Sequence, residues 1–141
     1  MSDFYACFKE NMDALGLPAP ESLFGTAPIA VANAATILCQ IDKCGLRATL
    51  REIIGAGARL DGLAAAGGCI AAYYAGAVVG SLAVANGRSL ARGTSLADVV
   101  FTAKKNGLDR KWLVATWQRW PGLHDSTLVA SRAGMRARSA A

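Results

Sequence analysis

A chain of 141 residues is long enough for one hydrophobic core but not for two. Hydrophobic residues make up 53% of it and charged residues 18%, and much of the apolar excess is Ala and Gly. The net charge of +5 is unevenly distributed, since residues 1–87 carry five Lys/Arg and seven Asp/Glu, and residues 88–141 carry ten and three. The basic second half favours an anionic partner, either a nucleic acid or a membrane surface.

Two helices are predicted in the first third of the chain. The first covers about residues 3–15, and the second begins at a Thr26 cap, with Pro28 in its first turn, and runs to about Cys44. The second helix has an uncharged polar stripe among Ala, Ile, Val and Leu. Such a stripe is typical of a helix that lines a water-filled path, or of a soluble helix with its polar edge outward. The stripe consists of Asn33, Thr36 and Gln40.

The middle of the chain has no charged side chain between residues 62 and 87. After a short helix that begins at the Thr49 capping box, a long apolar central helix is predicted over about residues 58–87. A helix of 26 residues would be about 39 Å long, more than the roughly 30 Å of a bilayer's hydrocarbon core.

Small residues recur at every fourth position of this uncharged stretch. They form a ridge on which another helix can pack closely. The ridge favours either membrane insertion with self-association, or close packing inside a soluble bundle. It consists of Ala64, Gly68, Ala72, Gly76 and Gly80.

Two further helices are predicted before the chain becomes rich in Ser, Ala and Arg. One begins at Thr94 or Ser95, and the other, over residues 110–120, is capped by Asp109 and holds every tryptophan. A basic helix rich in Trp is typical of a membrane-surface anchor, although its Trp face could equally cover a bundle core. The candidate membrane-interface residues are Arg88, Arg92, Trp112, Trp117 and Trp120.

These elements predict an all-α protein of about six helices, a small bundle around the apolar helix over about 58–87. Residues 1–122 are interpreted as a single helical domain, and residues 123–141 as a basic, loosely ordered tail. Segments 23–44 and 60–87 are the two that we expect to be competent for membrane insertion.

Motifs for chemistry are missing from the sequence. The four cysteines have no CxxC or zinc spacing and are interpreted as small buried thiols, and the single histidine, His124, has no partner motif. No nucleotide-binding, metalloprotease or nucleophile-elbow motif is present, so we expect no catalytic residue, no metal and no cofactor. The basic residues are scattered rather than in a run, which argues against nucleic acid as a partner.

Several stretches resemble one group of small bacterial toxins. They are Glu21–Thr26 with the apolar helix after it, Thr49–Gly55, and the run from Tyr73 to Leu90. Together with Thr94–Gly107, the similarity covers roughly residues 21–107. The toxins are the glycine-zipper, pore-forming antibacterial effectors that the type VI secretion system delivers.

The resemblance implies a cytoplasmic protein of the producer cell that is loaded into the ring of the Hcp tube protein, which shields its apolar surface. It would be secreted, insert into the inner membrane of a rival cell, self-associate and form an ion-conducting pore that dissipates the membrane potential. A cognate immunity protein of the inner membrane would protect the producer. The chain's first residues lack the basic and apolar regions of a signal peptide, and export by this secretion system would not use one.

A second function stays open beside the toxin. A soluble, all-helical binding or adaptor module, or an immunity protein without membrane activity, would also need a buried apolar helix. The two functions differ in whether the purified protein makes liposomes leak.

Overall fold

The computed structural model describes residues 3–57, 60, 62–87 and 95–124. Over these residues the chain forms α-helices, two 3₁₀ turns and no strand beyond one isolated bridge between Thr49 and Ile70, which confirms the all-α class. The α-helices are α1 (Asp3–Ala14), α2 (Glu21–Phe24), α3 (Ala27–Cys44), α4 (Leu50–Gly55), α5 (Ala71–Gly87), α6 (Leu96–Lys105) and α7 (Lys111–Arg119), and the 3₁₀ turns are Ala64–Ala66 and Pro121–Leu123.

Helix starts that depend on local capping lie where the sequence predicts them. The Thr26 hydroxyl accepts the N–H of Ile29 at the start of α3. Thr49 and Ser95 each form a complete capping box with the acidic residue three positions later. These bonds join residues that are close in sequence, so the rest of the fold has little influence on them.

Two predictions about the helices need correction. The predicted loop between α1 and α3 contains the four-residue α2, whose Leu23 and Phe24 are buried. Asp109 does not cap α7, because Arg110 occupies the cap position in an extended conformation and no side chain caps this helix. The Arg110 guanidinium instead pairs with Asp42 at 2.8 Å, a partner 68 residues away that local sequence does not reveal.

The central helix is shorter than predicted, because it begins at Ala71 rather than near residue 58. The N–H of Leu50 donates to the Cys69 carbonyl at 2.9 Å, and the N–H of Ala71 donates to the Ala48 carbonyl at 2.8 Å. Gly62 has a φ of +97°, which no α-helix contains. The segment before Ala71 is therefore bonded to the start of α4 and does not continue α5.

Helix α5 is the centre of the core. From Ala71 to Ala85, every residue except the half-buried Tyr73 is buried. Helices α1, α3, α6 and α7 all contact it. Full burial of a side chain such as Val78 or Leu82 contributes about 1.5–3 kcal/mol, so this helix is the main apolar anchor of the fold.

Candidate functional site

The small-residue ridge is only partly helical in this structure. Ala72, Gly76 and Gly80 lie four residues apart on α5, whereas Ala64 lies in a 3₁₀ turn and Gly68 in the turn that follows. The prediction of one continuous ridge on one helix is therefore wrong for this conformation. The backbone bonds to α4 that end α5 at Ala71 are the physical reason.

The segment that runs from α7 into the last 3₁₀ turn covers Gly76 and Gly80 of α5. A Cβ on Gly76 would lie 3.0 Å from side-chain atoms of both Thr116 and Leu123. A Cβ on Gly80 would lie 2.5 Å from the Leu123 carbonyl oxygen, closer than real contacts allow. We call residues Lys111–His124 the cover, because they occupy the face of α5 that the ridge leaves open.

Hydrogen bonds fix the cover on α5. The indole N–H of Trp117, which is 1% exposed, donates to the Gly76 carbonyl at 3.0 Å. The amide of Asn11 on α1 donates to the Leu123 carbonyl at 3.3 Å and to the Ser81 hydroxyl at 2.8 Å. Trp117, predicted at a membrane interface, is thus a core residue here, in agreement with the alternative that the Trp face covers the bundle core.

One buried oxygen of this network has no hydrogen-bond donor among the described residues. It is Oδ1 of Asn11, whose amide nitrogen makes the two bonds just described. An unsatisfied buried acceptor costs about 1–3 kcal/mol.

The other two tryptophans lie at the edge of the cover. The Trp112 indole N–H donates to Asp42 at 3.1 Å, and the same carboxylate accepts the Arg110 guanidinium at 2.8 Å. Desolvation raises the pKa of Asp42, but the hydrogen bonds from Arg110 and Trp112 outweigh it, so the pKa lies below its ordinary value. Asp42 thus ties the start of α7 to α3, a link that the sequence did not indicate.

Trp120 forms an aromatic cluster with its neighbours. Its ring meets Tyr73 edge to face at 5.3 Å between centroids, and the Arg119 guanidinium lies 4.7 Å from its centre. All three side chains keep some contact with water. This cluster can therefore contact an external surface, whereas the buried Trp117 cannot.

Comparisons with protein-family models, with curated proteins and with solved structures find no match for this chain. Among the described residues, no three His, Cys, Asp or Glu side chains are grouped so as to hold a metal ion.

A search of the described helices for one long and apolar enough to cross a membrane finds none. Helix α5 has the apolar composition, but its 17 residues would rise only about 26 Å. That is less than the roughly 30 Å of hydrocarbon core that a span must cross.

The remaining candidate residues are dispersed. On α3, the Asn33 amide donates to the Leu23 carbonyl at 2.8 Å and the Thr36 hydroxyl donates to the Ala32 carbonyl at 3.1 Å, while Gln40 is half-buried. These three residues lie off the buried side of α3, as expected for a polar edge. Arg88, Arg92 and residues 125–141 of the predicted tail lie outside the described residues, whereas Leu123 and His124, also predicted in the tail, are buried.

Proposed function

We propose that this chain is an antibacterial toxin of the type VI secretion system that inserts into the target cell's inner membrane and conducts ions. The supporting observation is helix α5, which has no charged side chain and whose residues from Ala71 to Ala85 are all buried except the half-buried Tyr73. A helix that is apolar all round belongs either in a protein core or in a membrane. In this proposal α5 occupies the core first and the membrane later.

Insertion requires α5 to lengthen towards its N-terminus. The uncharged stretch begins at residue 62, so an extended helix over 62–87 would have 26 residues and a length of about 39 Å. The hydrogen bonds from the Ala71 N–H to the Ala48 carbonyl and from the Leu50 N–H to the Cys69 carbonyl must then break. Helical bonds replace them, as a lipid environment demands of every backbone group.

Insertion also requires the cover to leave α5. Departure of Trp117 and Leu123 would expose Gly76 and Gly80, and extension of the helix would bring Ala64 and Gly68 into line with them. The ridge is then complete for packing against a second copy of the chain. Asn33, Thr36 and Gln40 remain the candidate pore lining, and Arg88 and Arg92 the candidate headgroup contacts.

Delivery in this proposal follows the resemblance. The Hcp ring would carry the protein with α5 covered, and an inner-membrane immunity protein would protect the producer. Self-association would begin only on insertion, because the ridge is occupied by the cover before then.

The decisive experiment uses Gly68, which belongs to the ridge but not to the packed core. A Cβ at Gly68 would have no neighbouring atom within 4 Å, so Gly68→Leu should leave the fold in aqueous solution intact. The same change places a large side chain on the ridge of the inserted helix and should abolish dye release from liposomes. Gly55→Leu is the matched control, because Gly55 also has open space but lies outside the ridge. Full dye release by Gly68→Leu would refute ridge packing as the basis of the pore.

A soluble binding module is the second candidate. Phe101 on α6 is 68% exposed, and large exposed aromatic residues are typical anchors of protein interfaces. If the unaltered protein releases no dye at any pH or membrane potential, this function is the better account. Phe101→Ser should then reduce binding to the partner without affecting stability.

A further inference from the structure

A groove opens on the surface between the start of α5 and helix α7. It has a volume of about 510 Å³, which lies in the range of small-ligand sites. Tyr73, Trp112 and Trp120 supply aromatic walls. Leu46 and Ile70 line it as well, and they are 50% and 47% exposed. Leaving such large apolar side chains in water is unfavourable, so the groove gains by being filled.

The charge of the groove is of one sign. Arg47 and Arg119 line it, and the described lining residues include no Asp or Glu. Arg119 stacks on the ring of Trp120, which orients its guanidinium beside the apolar wall. A ligand for this surface must therefore carry both an anionic group and an apolar part.

We propose that this groove binds an anionic phospholipid at the bilayer surface, with the phosphate on Arg47 and Arg119 and the upper acyl chain against Leu46, Ile70 and Trp120. Guanidinium groups bind phosphate through paired charge-assisted hydrogen bonds. Tryptophan rings favour the depth at which headgroups meet acyl chains. This site depends on the proposed membrane function, and it adds the class of lipid that the protein recognises before insertion.

Docking at this groove would place the cover against the bilayer. Trp112, Arg119 and Trp120 all belong to α7 or its end, and the same segment holds Trp117 on Gly76. A lipid that binds α7 thus acts on the element that must leave α5.

The test is flotation of the full chain with vesicles of phosphatidylcholine alone and with vesicles that contain phosphatidylglycerol. We expect preferential binding to the anionic vesicles. The double variant Arg47→Ala/Arg119→Ala should weaken that binding about twenty-five-fold, at about fivefold for each arginine. Lys104→Ala/Lys105→Ala is the matched control, because it removes the same charge from exposed positions on α6 that do not line the groove. It should weaken binding less than about threefold.

Apolar contact is tested separately by Leu46→Ser/Ile70→Ser, which should also weaken binding to anionic vesicles.

Equal losses of vesicle binding in the arginine double variant and the lysine double variant would overturn the site, since binding would then depend on diffuse charge. Equal binding to both kinds of vesicle would overturn it too. Gly68→Leu separates the two proposals, because it should float with anionic vesicles yet release no dye. Flotation of the unaltered protein without dye release would refute the pore and retain the lipid site.

Discussion

The indole nitrogen of Trp117 lies 3.0 Å from the carbonyl oxygen of Gly76, in the centre of the buried helix. A Cβ on Gly76 would lie 3.6 Å from that nitrogen, which is an ordinary contact, but only 3.0 Å from side-chain atoms of Thr116 and Leu123, so the missing side chain lets these two residues approach the helix. The residue that makes close packing possible in the bundle is therefore the same one that we propose for close packing between copies in a membrane.

The hydrogen bond between Trp117 and Gly76 should stabilise the fold in aqueous solution. Trp117→Phe keeps an aromatic ring in the core but removes the donor and some volume, so we expect a loss of about 1–3 kcal/mol in the free energy of unfolding. Urea denaturation measures it. Trp112→Phe removes a more exposed indole bond and should cost less than about 1 kcal/mol. Equal losses of stability in the two variants would mean that the bond from Trp117 to Gly76 contributes no more to the fold than the bond from Trp112 to Asp42.

Glycine at position 80 is required by the cover. Gly80→Ala places a methyl group 2.5 Å from the Leu123 carbonyl oxygen, a backbone atom that can retreat only if the cover shifts. We expect a loss of about 1–3 kcal/mol in the free energy of unfolding. Gly68→Ala, with open space around it, should change stability by less than about 0.5 kcal/mol. Thermal unfolding of the two variants checks the contrast, and an unchanged midpoint for Gly80→Ala would contradict the packing described above.

Asn11 and Ser81 should be energetically coupled. Asn11→Ala removes the donor to both Ser81 and Leu123 and leaves their buried oxygens unpaired, which we expect to cost about 1–3 kcal/mol. A double-mutant cycle with Ser81→Ala should give a coupling of about 0.5–1.5 kcal/mol. A coupling of zero would show that the bond contributes nothing to the fold.

Asp42 should make stability depend on acid pH. Its pKa is lowered in the folded state, so its contribution is present above the unfolded pKa and is lost as pH falls through the folded value, below 3.8. Since the carboxylate is 41% exposed, we expect Asp42→Asn to cost only about 0.5–1 kcal/mol at pH 7 after solvent screening.

The difference in the free energy of unfolding between parent and Asp42→Asn should narrow as the pH falls below 3.8, and it should also narrow in 1 M salt. Asp13→Asn is the control, because its partner Lys9 lies on the same helix and joins no separate elements. It should cost less than about 0.5 kcal/mol. A gap for Asp42→Asn that does not narrow at all as the pH falls below 3.8 would argue against the charged link.

The helices that the sequence predicted correctly have short-range causes. Thr26 with Pro28 marks the start of α3, and capping boxes at Thr49 and Ser95 mark α4 and α6. In each case the groups that bond are three residues apart, so the pattern alone is sufficient. Helix α7 begins at Lys111, one residue later than predicted, with Arg110 rather than Asp109 at the cap position.

The extent of the central helix has a long-range cause. Residues 62–87 read as one helix because they lack charge and carry small residues at every fourth position. The helix instead begins at Ala71, because the Ala71 N–H donates to the Ala48 carbonyl and the Leu50 N–H donates to the Cys69 carbonyl. No pattern of side chains reveals such bonds between backbone groups. The polar stripe on α3 was found from its spacing, but spacing does not say whether it faces water at a surface or in a pore.

By itself, the sequence determined that residues 62–87 form an uncharged stretch that favours burial, because hydrophobic burial depends on composition and not on direction. Tertiary structure decided which of these residues are buried, those from Ala71 to Ala85 except Tyr73, and what covers them. It placed Trp117 on Gly76, Leu123 on Gly80 and Asn11 between α1 and the cover. These contacts depend on distances of about 3 Å between residues far apart in the chain, and only the packed fold brings them together.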